Sequence, residues 1–234
     1  AGALFDEFLP TKPAGGIDTV EREKQNIDLW IHFKDGQDLI VENKVKSLPD
    51  SAQLDAYSAK VGSDSSSFLL LCLSRPHFLG ATETTYQDSE GRPWNILTYR
   101  ELSARMDKAL RNGTGAPEVG SYHRSVIEDY IAYTRALADL YDHFDVSTDS
   151  NGGFFEGTDR IGKLVDGRLG SGIVKMRYSQ LACMLCEELR SLGWSIVTSP
   201  TDYWKSTENT ALVCASMTRG MGLLDFKYAV VADD

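Results

Sequence analysis

The sequence predicts a mixed α/β fold, a central sheet flanked by helices, followed by a C-terminal α+β extension. Three observations point there. First, "NIDLWIHF" and "DLIVENKV" are strand-like runs on either side of Asp35-Gly36, a strong hairpin-turn signal. Second, "SSFLLLCLS" is too apolar to alternate, as in a central strand covered on both faces. Third, helix patterns are interleaved with these strands: "DSAQLDAYSAKV", with Asp50 placed as N-cap, and the run that follows Thr98.

Taken in order, "LFDEFLP" has the pattern of a helix end and Gly15-Gly16 that of a turn. "IDTVEREKQ" is polar but strand-like, and the hairpin and first long helix follow it. "WNILTY" is a further strand. Thr98 with Glu101 three residues on forms a capping box that starts the next helix, which "RNGTG" ends. Asn112 to Gly120 reads as a linker, so residues 1–113 are expected to form the core and residues 121–234 the extension. The extension opens with an amphipathic helix, "SYHRSVIEDYIAYTRALADLYDHF". "IVKMRY" then reads as a short strand and "SQLACMLCEELRSLGW" as a helix ended by Gly193. Three strand candidates close the chain: "SIVTSP", "TALVCAS" and "LLDFKYAVV". No internal repeat or low-complexity tract is present.

The first hairpin places charges among apolar residues. Glu42 and Lys44 are two apart and project from one face of a strand. Pairing outward from the Asp35-Gly36 turn brings Asp28 opposite Glu42 to Lys44. A charge near a core is costly unless it is paired or bound to a metal. Two carboxylates suffice, with water, to hold a hard cation such as Mg²⁺ or Mn²⁺, and a lysine beside them can orient a water or balance a phosphate oxygen. The plain alternative is a cross-strand salt bridge.

Asp28 followed by Glu42-Asn43-Lys44 on the next strand resembles the PD-(D/E)XK nuclease superfamily. "QLDAY" on the next helix resembles the Gln-x-x-x-Tyr motif of exonuclease-like branches, and Glu23 lies where some branches carry an extra acidic residue. The order of elements also resembles the superfamily core, over roughly residues 4–110. The chain departs from the pattern at Ile27, where many members have proline. The resemblance implies a restriction-endonuclease-like core and a metal-dependent nuclease acting on nucleic acid, with DNA the expected substrate. It implies Asp28, Glu42 and Glu23 as metal ligands, Lys44 as catalytic, and Gln53 positioning a ligand or the lysine. Tyr57 is a candidate substrate contact or plain core, and Gln53 is also placed to serve a capping box begun by Asp50. The alternative function is a catalytically inactive module of the same fold, binding nucleic acid or protein.

Other readings are blander. Asp225 and Lys227 in "LLDFKYAVV" mimic the motif, but only seven residues follow Lys227, too few to complete a core. Cys183-x-x-Cys186 lies within a helical apolar pattern and reads as core rather than redox site, and His32 as a hydrogen-bonded structural residue. Arg160, Lys163, Arg168, Lys175 and Arg177 form a local basic stretch, either a nucleic-acid groove or a solvated loop. Net charge is −10 at pH 7, which opposes non-specific phosphate binding. Four cysteines without a disulfide framework suggest a cytoplasmic protein, and no apolar run is long enough to span a membrane.

Overall fold

The computed structural model describes residues 8–9, 11–45, 51–61, 65–73, 75–76, 79, 83–112, 120–144, 173, 176, 180, 184, 188, 191–193, 195–198, 204–206, 210–219 and 222–231. The chain forms two compact units: Ala1–Lys44, Gln53–Arg75 and Ala81–Leu140 make the first, and Val45–Ala52, Pro76–Gly80 and Tyr141–Asp234 the second.

The first unit is built on a six-stranded mixed sheet. Its strands are β1 (Ile17–Lys24), β2 (Ile27–Phe33), β3 (Asp38–Lys44), β4 (Ser66–Cys72), β5 (Thr85–Gln87) and β6 (Pro93–Thr98). They lie in the order β1-β2-β3-β4-β6-β5. β1, β2 and β3 form an antiparallel meander, β3–β4 and β4–β6 are parallel, and β5 pairs antiparallel with β6 at the far edge. The helices are α1 (Ser51–Val61), α2 (Tyr99–Asn112) and α3 (Ser121–His143). The parallel pairs require crossovers, and α1 supplies the one between β3 and β4. This is an α/β fold of the restriction-endonuclease-like kind.

Strand alternation sorts the apolar residues onto two faces. Ile31, Phe33, Leu39, Val41, Leu69 and Leu97 cluster with Leu102 of α2 and with Phe8 and Leu9. The intervening residues Ile40, Phe68, Leu70, Trp94 and Ile96 are buried on the opposite face. There the Phe68 and Trp94 rings lie 4.9 Å apart, and the Trp94 indole N–H donates to Ser58 Oγ of α1 at 2.8 Å. Burying each such side chain stabilises the fold by about 1.5–3 kcal/mol. Both faces of β4 are thus covered, as its unbroken apolar run requires. The capping box forms as read: Thr98 N–H donates to Glu101 Oε2 at 2.8 Å and Glu101 N–H to Thr98 Oγ1 at 3.2 Å.

The second unit contains a four-stranded antiparallel sheet of β7 (Ser195–Thr198), β8 (Trp204–Ser206), β9 (Thr210–Arg219) and β10 (Gly222–Val231). β9 and β10 pair along their full length, from Gly222 opposite Arg219 to Val231 opposite Thr210. One expectation is corrected. "IVKMRY" is not a strand, because Ile173 and Met176 are helical and buried. Their i, i+3 spacing puts both on one helix face, a period that a short apolar run does not reveal in isolation. Residues 1–7, Asp50, Arg160, Lys163, Arg168, Lys175, Arg177, Cys183 and Cys186 lie outside the described residues. So do the linker positions 113–119. Among the described residues, no helix is long and apolar enough to cross a membrane. Cys72 is buried, and burial pushes its thiol up to about 12, so it is an inert core residue.

Candidate active site

The β2–β3 hairpin sets the site. Gly36 adopts φ +83°, and Asp35 accepts the Gln37 N–H at 3.2 Å, which closes the turn. The register that follows pairs His32 with Asp38, Ile31 with Leu39, Trp30 with Ile40 and Leu29 with Val41. One step further, Asp28 comes opposite Glu42. There the ladder ends, and the Asp28 side chain takes over from the backbone: its Oδ2 accepts the Asn43 N–H at 2.7 Å.

Glu42 and Lys44 lie on the face covered by α1, with the Glu42 residue 3% and the Lys44 residue 9% exposed. Lys44 Nζ is 2.7 Å from Glu42 Oε1 and donates to Gln53 Oε1 at 2.6 Å. Gln53 Nε2 donates in turn to Tyr57 Oη at 2.6 Å. Gln53 and Tyr57 are four apart on α1, so they share a helix face and complete the chain Glu42–Lys44–Gln53–Tyr57. Burial, aided by the charge of Asp28, raises the Glu42 carboxyl above its ordinary value despite the opposing pull of Lys44. Burial likewise raises the Tyr57 phenol, so it stays protonated at neutral pH.

One oxygen of each carboxylate has a partner within the site. Glu42 Oε1 is committed to Lys44 and Asp28 Oδ2 to Asn43. Glu42 Oε2 is buried with no hydrogen-bond partner. An orphaned, buried carboxylate oxygen is costly, and a nearby cation removes that cost. Asp28 and Glu42 therefore fit a hard divalent ion as a two-carboxylate site. Among the described residues, no group of three or more His, Cys, Asp or Glu residues forms a cage that could hold a metal ion.

The other sequence candidates fall differently. Glu23 lies between the Arg22–Leu29 and Lys24–Ile27 pairs, which puts it level with Asp28. It is exposed, at φ +55°, and joins none of the hydrogen bonds just described. His32 is held away from them: its Nδ1 is 2.7 Å from Asp38 Oδ1 and its Nε2 is 3.1 Å from Glu21 Oε2. Burial pushes the His32 imidazole down, but its two carboxylate partners outweigh that and raise its pKa. Sequence reasoning missed Tyr99, whose hydroxyl donates to Asn43 Oδ1 at 2.6 Å across 56 residues of chain. No spacing signal links those two residues.

A comparison with curated proteins and with solved structures gives no match. A protein-family profile described as the PD-(D/E)XK nuclease superfamily matches residues 11–132, which hold β1 to β6, α1, α2 and the first half of α3. That span is over half of the chain's 234 residues and contains Asp28, Glu42, Lys44 and Gln53. The chain belongs to the PD-(D/E)XK nuclease superfamily.

Proposed function

We propose that the protein is a metal-dependent deoxyribonuclease that hydrolyses phosphodiester bonds with Mg²⁺ or Mn²⁺. The observation that carries this reading is the orphaned Oε2 of buried Glu42 beside the Asp28 carboxylate, with a lysine already in place. Asp28 and Glu42 hold the ion. Bound there, it supplies positive charge to the phosphate under attack and to the leaving oxygen. Lys44 is paired with Glu42 and aimed by Gln53, and its remaining donor capacity serves the attacking water or a phosphate oxygen. Gln53 and Tyr57 fix the lysine's position, and Tyr57 as a phenol keeps that chain of hydrogen bonds neutral beyond the ammonium. Glu23 stands as an outer acidic residue level with Asp28. The C-terminal extension, with its basic stretch from Arg160 to Arg177, is assigned to substrate or partner selection. The cysteine usage fits a cytoplasmic setting.

The rival reading, an inactive nuclease-fold binding module, has the chain's net charge of −10 in its favour. One experiment separates them. Linear and circular, single- and double-stranded DNA are incubated with Mg²⁺ or Mn²⁺ and with wild type or Lys44→Ala, and metal-induced stabilisation is measured for wild type and Asp28→Asn. The nuclease reading expects metal-dependent cutting lost in Lys44→Ala, and metal stabilisation of the folded state lost in Asp28→Asn. No cutting on any substrate and no metal stabilisation leave the rival standing.

A further inference from the structure

We propose that Lys60 is a substrate-positioning residue that grips a DNA phosphate next to the one being cut. The proposal rests on the nuclease reading above and names a contact that this reading does not use.

Gln53, Tyr57 and Lys60 are spaced i, i+4, i+7 on α1 and fall on one face within an arc of roughly 60°. That face covers Glu42 and Lys44, so Lys60 occupies its C-terminal end, about 10 Å along the axis from Gln53. Unlike half-buried Gln53 and buried Tyr57, Lys60 is exposed. Its ammonium lies 5.3 Å over the Tyr57 ring and 3.4 Å from the Gln25 carbonyl. Both partners are uncharged, and the hydrogen bond is long. Two lysines near it are paired instead with carboxylates, Lys24 with Glu21 and Lys44 with Glu42. In a chain of net charge −10, an exposed lysine on the same helix face as Gln53 and Tyr57, with only neutral described partners, is held ready for an anion that arrives with the substrate.

The carbonyl on which it rests belongs to an unusual turn. Gln25 and Asn26 link β1 to β2 with φ +56° and +67°, the two-residue hairpin form that favours Asn and Gly. Glutamine is a costly choice at the first of these positions, and such strain gathers at functional sites. The turn keeps the Gln25 carbonyl within reach of α1 and so holds Lys60 over Tyr57. The bland role for Lys60 is complementing the dipole at the end of α1, and that role affects stability alone.

The test measures cleavage and binding for wild type, Lys60→Gln and Lys60→Arg. Binding is read by anisotropy of a labelled DNA duplex in EDTA, where no metal-dependent cutting occurs. Releasing one counterion at 0.1 M salt is worth about 0.9 in log K, or about eightfold. Lys60→Gln is therefore expected to raise KM and Kd about eightfold, to leave kcat within about twofold, and to lower the salt slope of binding by about 1. Lys60→Arg should retain affinity. Neutral methylphosphonate linkages, placed one at a time, should weaken wild type at one position where Lys60→Gln is indifferent. Unchanged Kd and salt slope in Lys60→Gln, or a fall in kcat at constant KM, overturns the proposal. If wild type cuts no DNA but binding still depends on Lys60 in this way, the nuclease reading falls and the phosphate contact stands.

Discussion

Replacing Lys44 by methionine keeps the length of the stem and removes the ammonium. Glu42 Oε1 and Gln53 Oε1 then each lose the donor that now lies within 2.7 Å, and Glu42 Oε2 already lacks one. The Lys44 and Glu42 side chains are 10% and 4% exposed, so at that pair solvent replaces little of what is lost. Breaking a buried pair on one side costs roughly 3–5 kcal/mol. For a chain of this size that corresponds to a fall in Tm of roughly 6–20 °C. The pH dependence carries the sharper signature. Glu42 already sits above its ordinary value of 4.5, and removing Lys44 deletes the main influence holding it down. A carboxyl raised on folding contributes stability that is complete below its unfolded pKa and is lost as pH rises through its folded pKa. The Lys44→Met deficit should therefore be small below about pH 4.5 and grow towards neutrality. Urea titrations of both proteins in EDTA, over a series of pH values, measure it. A deficit under about 1 kcal/mol, the size of an exposed pair, or one equal at acid and neutral pH, refutes the reasoning. Adding Glu42→Gln to the variant should restore part of the loss, by removing the stranded charge.

The His32 imidazole, raised above 6.5 between Glu21 and Asp38, should stabilise the fold fully below pH 6.5. That contribution should disappear as pH rises through its folded pKa, and His32→Gln should flatten this limb of a urea-midpoint profile. Ser58→Ala strands the wholly buried Trp94 N–H and should cost about 1–3 kcal/mol in chemical denaturation. A cost near zero would mean that the 2.8 Å contact is not a stabilising hydrogen bond.

The fold of the first unit was legible because its strongest signals are local and agree with one another. Asp35-Gly36 sets the β2–β3 register, and the register alone brings Asp28 level with Glu42. The apolar run of β4 matches a strand covered on both faces, and Thr98 with Glu101 marks the start of α2. The short strands β5 and β8, three residues each, were not foreseen, since so few residues show no period. Ile173 and Met176 were misread for a related reason, an apolar stretch too short to separate the two periods. At the site, the sequence left Gln53 divided between capping and lysine contact, and the structure shows it bridging Lys44 to Tyr57. Tyr57 was divided between core and site, and it is both buried and bonded to Gln53. The links of Tyr99 to Asn43 and of Lys60 to Gln25 join distant segments, and tertiary pairing of that kind leaves no mark in spacing.

The bond from the Asn43 amide to Asp28 gives this protein a built-in reporter. One backbone proton, in the middle of Glu42-Asn43-Lys44, senses the state of a side chain on the neighbouring strand. Deleting that carboxylate removes the amide's partner and should speed solvent exchange at Asn43. A cation drawn to the carboxylate shifts the same amide's resonance. Alanine at position 28 would remove the proposed ligand and a clasp together, so loss of activity in an alanine variant reports a frayed strand end as much as lost chemistry. Asparagine at that position keeps an oxygen for the amide while giving up the charge, and the exchange rate at Asn43 tells the two losses apart.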